Sequence, residues 1–288
     1  MNHTSEIKIV ECPRDAMQGI LDFIPTALKI EYINALLNVG FDTLDCGSFV
    51  SPKIIPQMRD TKDVLPHLDI SDTDTKISVI VANERGARDA VDYDQVHILG
   101  FPFSVSETFQ KRNTNKSIRE SIDTVRKILE ISSKHQKEMV VYLSMAFGNP
   151  YGDDWNSTIV SDWIGELSSI GIEQFSVSDT VGVSTQQSIE EVFIKLQDEF
   201  EHLEVGAHFH TTKRAWKSKV HTAFINGCRK FDGAIRGYGG CPMAKDELVG
   251  NMPTENLIEY FGVDKLRINE DRFKDAFLLA KKLFNCYL

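Results

Sequence analysis

The chain has 288 residues, 42% hydrophobic and 26% charged, with 32 Lys and Arg against 42 Asp and Glu and a formal net charge of −10. That length buries most of its apolar surface without disulfides or a structural metal. The acidic balance argues against a nucleic-acid or anionic-membrane binder, either of which needs a basic face.

Short β-branched runs alternate with longer stretches of helical periodicity. The spacing predicts strands at 7–12, 43–49, 76–82, 95–101, 139–147, 174–181, 203–209 and 231–237. Between them, 117–132 (SIRESIDTVRKILEIS) carries apolar residues three and four apart. Ser157-Thr158 and Ser184-Thr185 are expected helix caps, and Pro253 an expected first-turn residue with Thr254 and Glu255 behind it. Eight such units in one chain point to a closed (β/α)8 TIM barrel, with an open doubly wound sheet as the alternative that periodicity leaves standing. No linker or low-complexity run divides the sequence, so residues 1–288 are expected to form one domain, with a last helix at about 270–284 appended to the eighth unit.

Five cysteines (Cys12, Cys46, Cys228, Cys241 and Cys286) form no Cys-x-x-Cys pair, the pattern of free thiols in a reducing compartment. No apolar run reaches the ~18 residues of a membrane span. The opening MNHTSE leads straight into a strand-like run, so neither a leader nor a membrane partner is expected and the expected location is cytoplasmic.

A TIM barrel keeps its chemistry at the C-terminal ends of its strands. Those ends carry Cys12-Pro13-Arg14-Asp15, Asp45-Cys46-Gly47-Ser48, Ser178-Asp179-Thr180, His208-Phe209-His210, and Gly239-Gly240-Cys241-Pro242 with Asn251 shortly after. Residues two apart on a strand face the same way, so His208 and His210 can reach one point, and two imidazoles with carboxylate or amide oxygens suit a divalent metal. The plainer reading is two ordinary histidines near the surface. Arg14-Asp15 reads either as a surface ion pair or as a rigid donor fork suited to a developing enolate. Cys241, between glycines and a proline, reads either as a thiol in a turn or as a proton donor on a lid. Asp45 and Asp179 read equally as loop formers or catalytic groups.

Taken together, Cys-Pro-Arg-Asp-x-x-Gln from residue 12, Ser-Phe-Val-Ser-Pro-Lys-x-x-Pro-Gln-Met at 48–58, Ser-Asp-Thr-Val-Gly at 178–182, His-x-His at 208–210, Gly-Gly-Cys-Pro-x-Ala from 239 and Gly-Asn at 250–251 resemble the 3-hydroxy-3-methylglutaryl-CoA lyase family. That family sits within a larger group of metal-dependent lyases and Claisen-type synthases on TIM barrels. The resemblance runs from about residue 7 to residue 260. It implies Asp15, His208, His210 and Asn251 as ligands of Mg²⁺ or Mn²⁺. It also implies Arg14, Asp45, His208 and Cys241 as catalytic groups, with Gln18, Ser48, Tyr142, Asp179 and Thr180 lining the substrate pocket. The implied reaction cleaves 3-hydroxy-3-methylglutaryl-CoA to acetyl-CoA and acetoacetate, and the implied assembly is a homodimer. Lys53, Lys111 and Arg112 are candidates for the CoA phosphates, and on the residues alone they read as solvated charges as well.

This chain departs from the family at several places. The family usually shows Arg-Asp-Gly-Leu-Gln, against Arg14-Asp15-Ala16-Met17-Gln18 here. Asp45 stands where the lyases carry Glu. After His210 the family continues Asp-Thr-Tyr-Gly, whereas this chain has Thr211-Thr212-Lys213-Arg214, losing an acidic neighbour and gaining two cations. Residues 233–238 replace a small-residue run. Two other readings therefore stand beside the lyase: a related aldolase or Claisen-type synthase acting on another 3-hydroxyacyl-CoA or 2-oxo acid, and a non-catalytic acyl-CoA-binding barrel.

Overall fold

The computed structural model describes residues 6–240 and 249–287. Eight parallel strands close on themselves: β1 (Lys8–Glu11), β2 (Thr43–Ser48), β3 (Lys76–Ile80), β4 (Ile98–Ser104), β5 (Glu138–Ser144), β6 (Gln174–Asp179), β7 (Glu204–Thr211) and β8 (Lys230–Gly233). Each pairs with the next, and β1 closes onto β8 with Ile9 opposite Phe231 and Val10 opposite Asp232. This is the TIM barrel, not the open sheet. A short β9 (Gly250–Asn251) runs antiparallel to β7 at the C-terminal rim.

The helices in chain order are α1 (Pro13–Gln18), α2 (Thr26–Leu37), α3 (Thr61–Val64), α4 (Glu84–Val91), α5 (Glu107–Thr114), α6 (Ile118–Lys134), α7 (Ser157–Ser169), α8 (Gln186–Phe200), α9 (Trp216–Ile225), α10 (Thr254–Phe261), α11 (Val263–Leu266) and α12 (Glu270–Asn285). Ser117 and Glu120 form a reciprocal capping box at the start of α6, satisfying two donors the helix leaves open. Thr185 caps α8 as expected. The cap of α7 is Asn156, one residue before the expected serine, because its amide oxygen reaches the Ile159 N–H at 2.9 Å. Pro253 sits at the cap position of α10, just before its first turn. The appended helix packs back on the barrel: Phe284 of α12 meets the buried Tyr32 of α2 edge-on, with ring centroids 6.0 Å apart.

Three predicted strands differ by three residues or more at an end, the others by one or two. The run expected at 95–101 forms at Ile98–Ser104, Gln95 preceding it in a turn. The fifth strand stops before Met145, whose φ of +60° turns the chain away from the sheet. The eighth stops at Gly233, and a 3₁₀ turn over 235–237, with Arg236 at φ +61°, aims the following segment back over the rim.

The two mouths differ in chemistry. At the N-terminal end, Lys230 pairs with Glu204 at 2.6 Å, Lys76 with Glu138 at 2.5 Å, and Lys8 with Glu204, while Asp42 lies 4.0 Å from both Lys8 and Lys230, so three cations meet three acids. Above it the lumen is packed, with about 10 Å³ left among Val10, Ser78, Tyr142, Ser176 and Asp232. Chemistry is thereby left to the C-terminal mouth.

The β1–β8 seam carries a buried acid. Glu11 accepts from the Ile235 N–H at 2.9 Å and is hydrogen-bonded to the Thr254 hydroxyl, tying β1 to the turn after β8 and to α10. Burial pushes its carboxyl up to about 8, the two hydrogen bonds opposing the rise. The folded state therefore keeps the proton while the unfolded chain releases it near the ordinary carboxyl value, so this contribution to stability is full below about pH 4.5 and is lost as pH rises toward 8. Glu11→Gln keeps the acceptor and removes the titration. Its melting temperature, followed by circular dichroism, is expected to fall less between pH 5 and pH 8 than that of the wild type; parallel curves would exclude Glu11 as the source.

Candidate active site

The C-terminal mouth is built from four strand ends. After β1, Cys12 turns the chain and Pro13 opens α1, its fixed φ suited to a first helical turn. Arg14 and Gln18 thus lie four apart on one helix face, with Asp15 beside them. The Arg14 guanidinium spans the site. Its Nε lies 3.1 and 3.0 Å from the Asp45 carboxylate oxygens, and Nη2 also donates to Asp45. Its Nη1 donates to Asp15 Oδ1 and Gln18 Oε1, each at 2.9 Å. One Nη2 hydrogen of the fork has no partner among the described residues. Burial pushes the Asp45 carboxyl up, with Arg14 opposing it. For Asp15, burial is outweighed by Arg14, the two histidines and Asn251, which hold its carboxyl below the usual range.

β7 brings His208 and His210 to one face, with ring centroids 5.3 Å apart. His208 Nδ1 lies 3.0 Å from Asp232 Oδ2, which also accepts from the Ser176 hydroxyl at 2.9 Å. His210 Nδ1 lies 2.8 Å from the Thr180 carbonyl, an acceptor only, so the proton is on Nδ1 and Nε2 carries a bare lone pair. Burial, then the neighbouring His208, lowers His210 to about 4 and keeps it neutral. Its Nε2 is buried and has no hydrogen-bond partner among the described residues.

A divalent cation fits here. One ligand atom each from Asp15, His208 and His210 lies within 4.8 Å of the others, a carboxylate with two imidazoles. With His210 Nδ1 taken by the Thr180 carbonyl, Nε2 is the nitrogen left to serve as ligand, and Asp232 and Thr180 hold the two rings through their other nitrogens, the arrangement that metal-binding histidines require. Asn251 joins through β9, where it pairs with His210. Its Nδ2 donates to Asp15 Oδ2 at 2.6 Å and to the Tyr238 carbonyl at 2.8 Å, leaving Oδ1 as the atom for a cation.

The remaining expected residues divide. Gln18 donates to Asp15 at 2.7 Å and belongs to the cluster. Tyr142 sits edge-on to His208, centroids 6.1 Å apart. Thr180 acts behind the site, its carbonyl on His210 and its hydroxyl on the Met145 N–H at 2.9 Å. Asp179 accepts from the Ser184 N–H and hydroxyl and from Lys219 at 2.5 Å, which makes it a holder of the turn after β6. Ser48 accepts from the Val50 N–H at 3.1 Å in the turn after β2. Lys53 is exposed, Lys111 pairs with Glu107 at 3.0 Å, and Arg112 lies over the Tyr151 ring at 4.5 Å, so none joins the cluster. Cys241 lies outside the described residues.

Asp232 and Lys219 are the polar groups that sequence reasoning passed over. Asp232 had a signal, a lone acid between Phe231 and Gly233 in an apolar strand. Lys219 had none, since a lysine in an amphipathic helix reads as solvated. Beneath the cluster, one ligand atom each of Cys12, His208 and Asp232 also lies within 4.8 Å of the others, and burial pushes the Cys12 thiol well up, so it is a neutral floor.

Gly239 has φ +85°, and a Cβ there would stand 2.5 Å from the Asp15 carbonyl and 2.9 Å from Asn251 Nδ2. Gly239→Ala is expected to displace both and to weaken divalent-metal binding roughly 10–100-fold. The check is the rise in melting temperature that Mn²⁺ produces, which should shrink in the variant; a full rise would show the rim tolerates the methyl group.

Comparison with known proteins gives the family and the fold. The family model described as HMGL-like matches residues 6–272. The chain is 30% identical over 260 residues to the 3-hydroxy-3-isohexenylglutaryl-CoA/hydroxy-methylglutaryl-CoA lyase of Pseudomonas aeruginosa, covering 90% of this chain and 85% of that protein. It is 34% identical over 254 residues to the cytoplasmic 3-hydroxy-3-methylglutaryl-CoA lyase of Rattus norvegicus, covering 88% and 73% respectively. Its fold superposes with a TM-score of 0.87 on an HMG-CoA lyase of Acinetobacter baumannii solved with coenzyme A and 3-methylmalate, at 26% identity over 97% of this chain and 92% of that one. The rim of Arg14, Asp15, His208, His210 and Asn251 is thus set in a barrel of known kind, and the chain belongs to the HMGL-like family.

Proposed function

We propose that this chain is a divalent-metal-dependent carbon–carbon lyase that cleaves 3-hydroxy-3-methylglutaryl-CoA to acetyl-CoA and acetoacetate. The observation that carries the reading is the bare, buried Nε2 of His210 beside Asp15 and His208, on the same rim as the Arg14–Asp45 pair. Asp15, His208, His210 and Asn251 would hold Mg²⁺ or Mn²⁺. When bound, such a cation supplies Lewis acidity that lowers the pKa of a tertiary hydroxyl.

The chain's own groups do the rest. Asp45, whose burial raises its proton affinity, takes the C3 hydroxyl proton. The C2–C3 bond breaks, C3 becomes the ketone of acetoacetate, and the electron pair passes to the thioester enolate. As Asp45 is neutralised its partner Arg14 loses a counter-ion, and the free Nη2–H turns its charge to the enolate oxygen. Cys241 delivers a proton to C2, completing acetyl-CoA. Gln18 fixes Arg14 and Asp15, Tyr142 walls the pocket, and Ser48, Asp179 and Thr180 shape it from the turns behind. Lys53, Lys111 and Arg112 are the proposed contacts of the CoA phosphates. The free thiols of Cys12, Cys46, Cys228 and Cys286 support a cytoplasmic setting, and no helix among the described residues is long and apolar enough to cross a membrane. A single barrel domain assembled as a homodimer completes the reading.

A second reading, a 3-hydroxyacyl-CoA with a longer C3 substituent, is favoured by the double name of the Pseudomonas aeruginosa relative. Acetoacetate release from 3-hydroxy-3-methylglutaryl-CoA, with Mg²⁺ or Mn²⁺ and with chelator, separates the two. Metal-dependent release is expected, falling about 100-fold or more in Arg14→Gln; no release from a metal-loaded protein would move the chain to the second reading. Asp45→Asn is expected to lower kcat about 100-fold with Mn²⁺ affinity kept. An unchanged kcat would leave Asp45 only the task of holding Arg14.

A further inference from the structure

Lys219 lies in the first turn of α9 and is only 5% exposed. A cation there opposes the helix dipole and gives up its hydration, so the position is costly unless its partners compensate. Its three N–H donors meet three acceptors: Asp179 Oδ2 at 2.5 Å, the His210 carbonyl at 2.9 Å and the Gly182 carbonyl at 3.2 Å. No donor is left for a substrate, which excludes direct catalysis. The contacts instead close a ring. Lys219 holds the Asp179 carboxylate; the next residue, Thr180, presents its carbonyl to the His210 ring nitrogen at 2.8 Å; and the His210 main chain returns to Lys219. Both ends of His210, ring and carbonyl, are thereby referred to one buried ammonium.

We propose that Lys219 is a positioning residue for His210, setting where the unpartnered Nε2 points into the cluster with Asp15 and His208. The inference rests on the reading of that cluster as a divalent-cation site. It gives the Asp179–Lys219 pair a task beyond stability, since a pair that only filled space would be replaceable without effect on the rim.

The test is Mn²⁺ affinity, read by electron paramagnetic resonance on the full chain. Lys219→Met is expected to bind Mn²⁺ 10–100-fold more weakly than the wild type. Lys29→Met, which removes another buried lysine, paired with Asp60 at 2.7 Å and outside the cluster, is expected to keep wild-type affinity. Should Lys219→Met fail to fold, the double variant Asp179→Asn with Lys219→Met leaves no unpaired charge and retains an oxygen for Ser184; it is expected to fold and show the same weakened binding. Wild-type affinity in either Lys219 variant, or equal weakening in Lys29→Met, would overturn the proposal alone. A wild-type protein that does not bind Mn²⁺ would overturn the cation-site reading and this inference with it.

Discussion

A buried imidazole nitrogen with no partner is a standing cost of about 1–3 kcal/mol, and folded proteins seldom keep one without a use. Among the described residues His210 Nε2 is such a nitrogen, in a residue only 4% exposed. Its neighbours enforce the cost. The Thr180 carbonyl fixes the proton on the opposite ring nitrogen, burial with His208 keeps the ring neutral, and β9 closes over it with Asn251. The closed barrel makes this possible, because β1, β7 and the segment after β8 meet at one mouth only when the sheet joins edge to edge.

Around that nitrogen the charges are arranged in sequence. Arg14 stands between Asp15 and Asp45 and so divides one positive charge between a carboxylate that stays ionised and one whose burial raises its proton affinity. Two acids sharing a cation can thus hold different protonation states, the condition for one to bind and the other to accept a proton. At the other end of the barrel, Lys8, Lys76 and Lys230 are matched by Glu138, Glu204 and Asp42. The same residue types serve closure at one mouth and reactivity at the other. The difference is an unmatched partner, not composition.

Much of this was legible in the residues. The eight strand-like runs form eight strands because β-branched alternation reports burial on a sheet, and His208-x-His210 reports a shared face for the same reason. What escaped was set by tertiary geometry. Met145 turns the chain away just after β5, and Arg236 re-aims the 3₁₀ turn that follows β8, each through a positive φ that no apolar pattern records. Asp179 stands at a strand end as a catalytic acid would, yet one of its oxygens is held by a lysine forty residues away and the other by the Ser184 N–H. Asp232 and Lys219 matter through what they hold, and a contact between distant residues leaves no local trace in one sequence. Lys111 pairs within its own helix, which its spacing from Glu107 permitted but did not require.

The central claim is that Asp15, His208 and His210 converge to hold a divalent cation. The most direct measurement is a crystal structure grown with Mn²⁺ and recorded at the manganese absorption edge. The account requires one anomalous peak within bonding distance of a carboxylate oxygen of Asp15, an imidazole nitrogen of His208 and Nε2 of His210. A peak elsewhere, or none at saturating Mn²⁺ with His210 Nε2 still unpartnered, would contradict it.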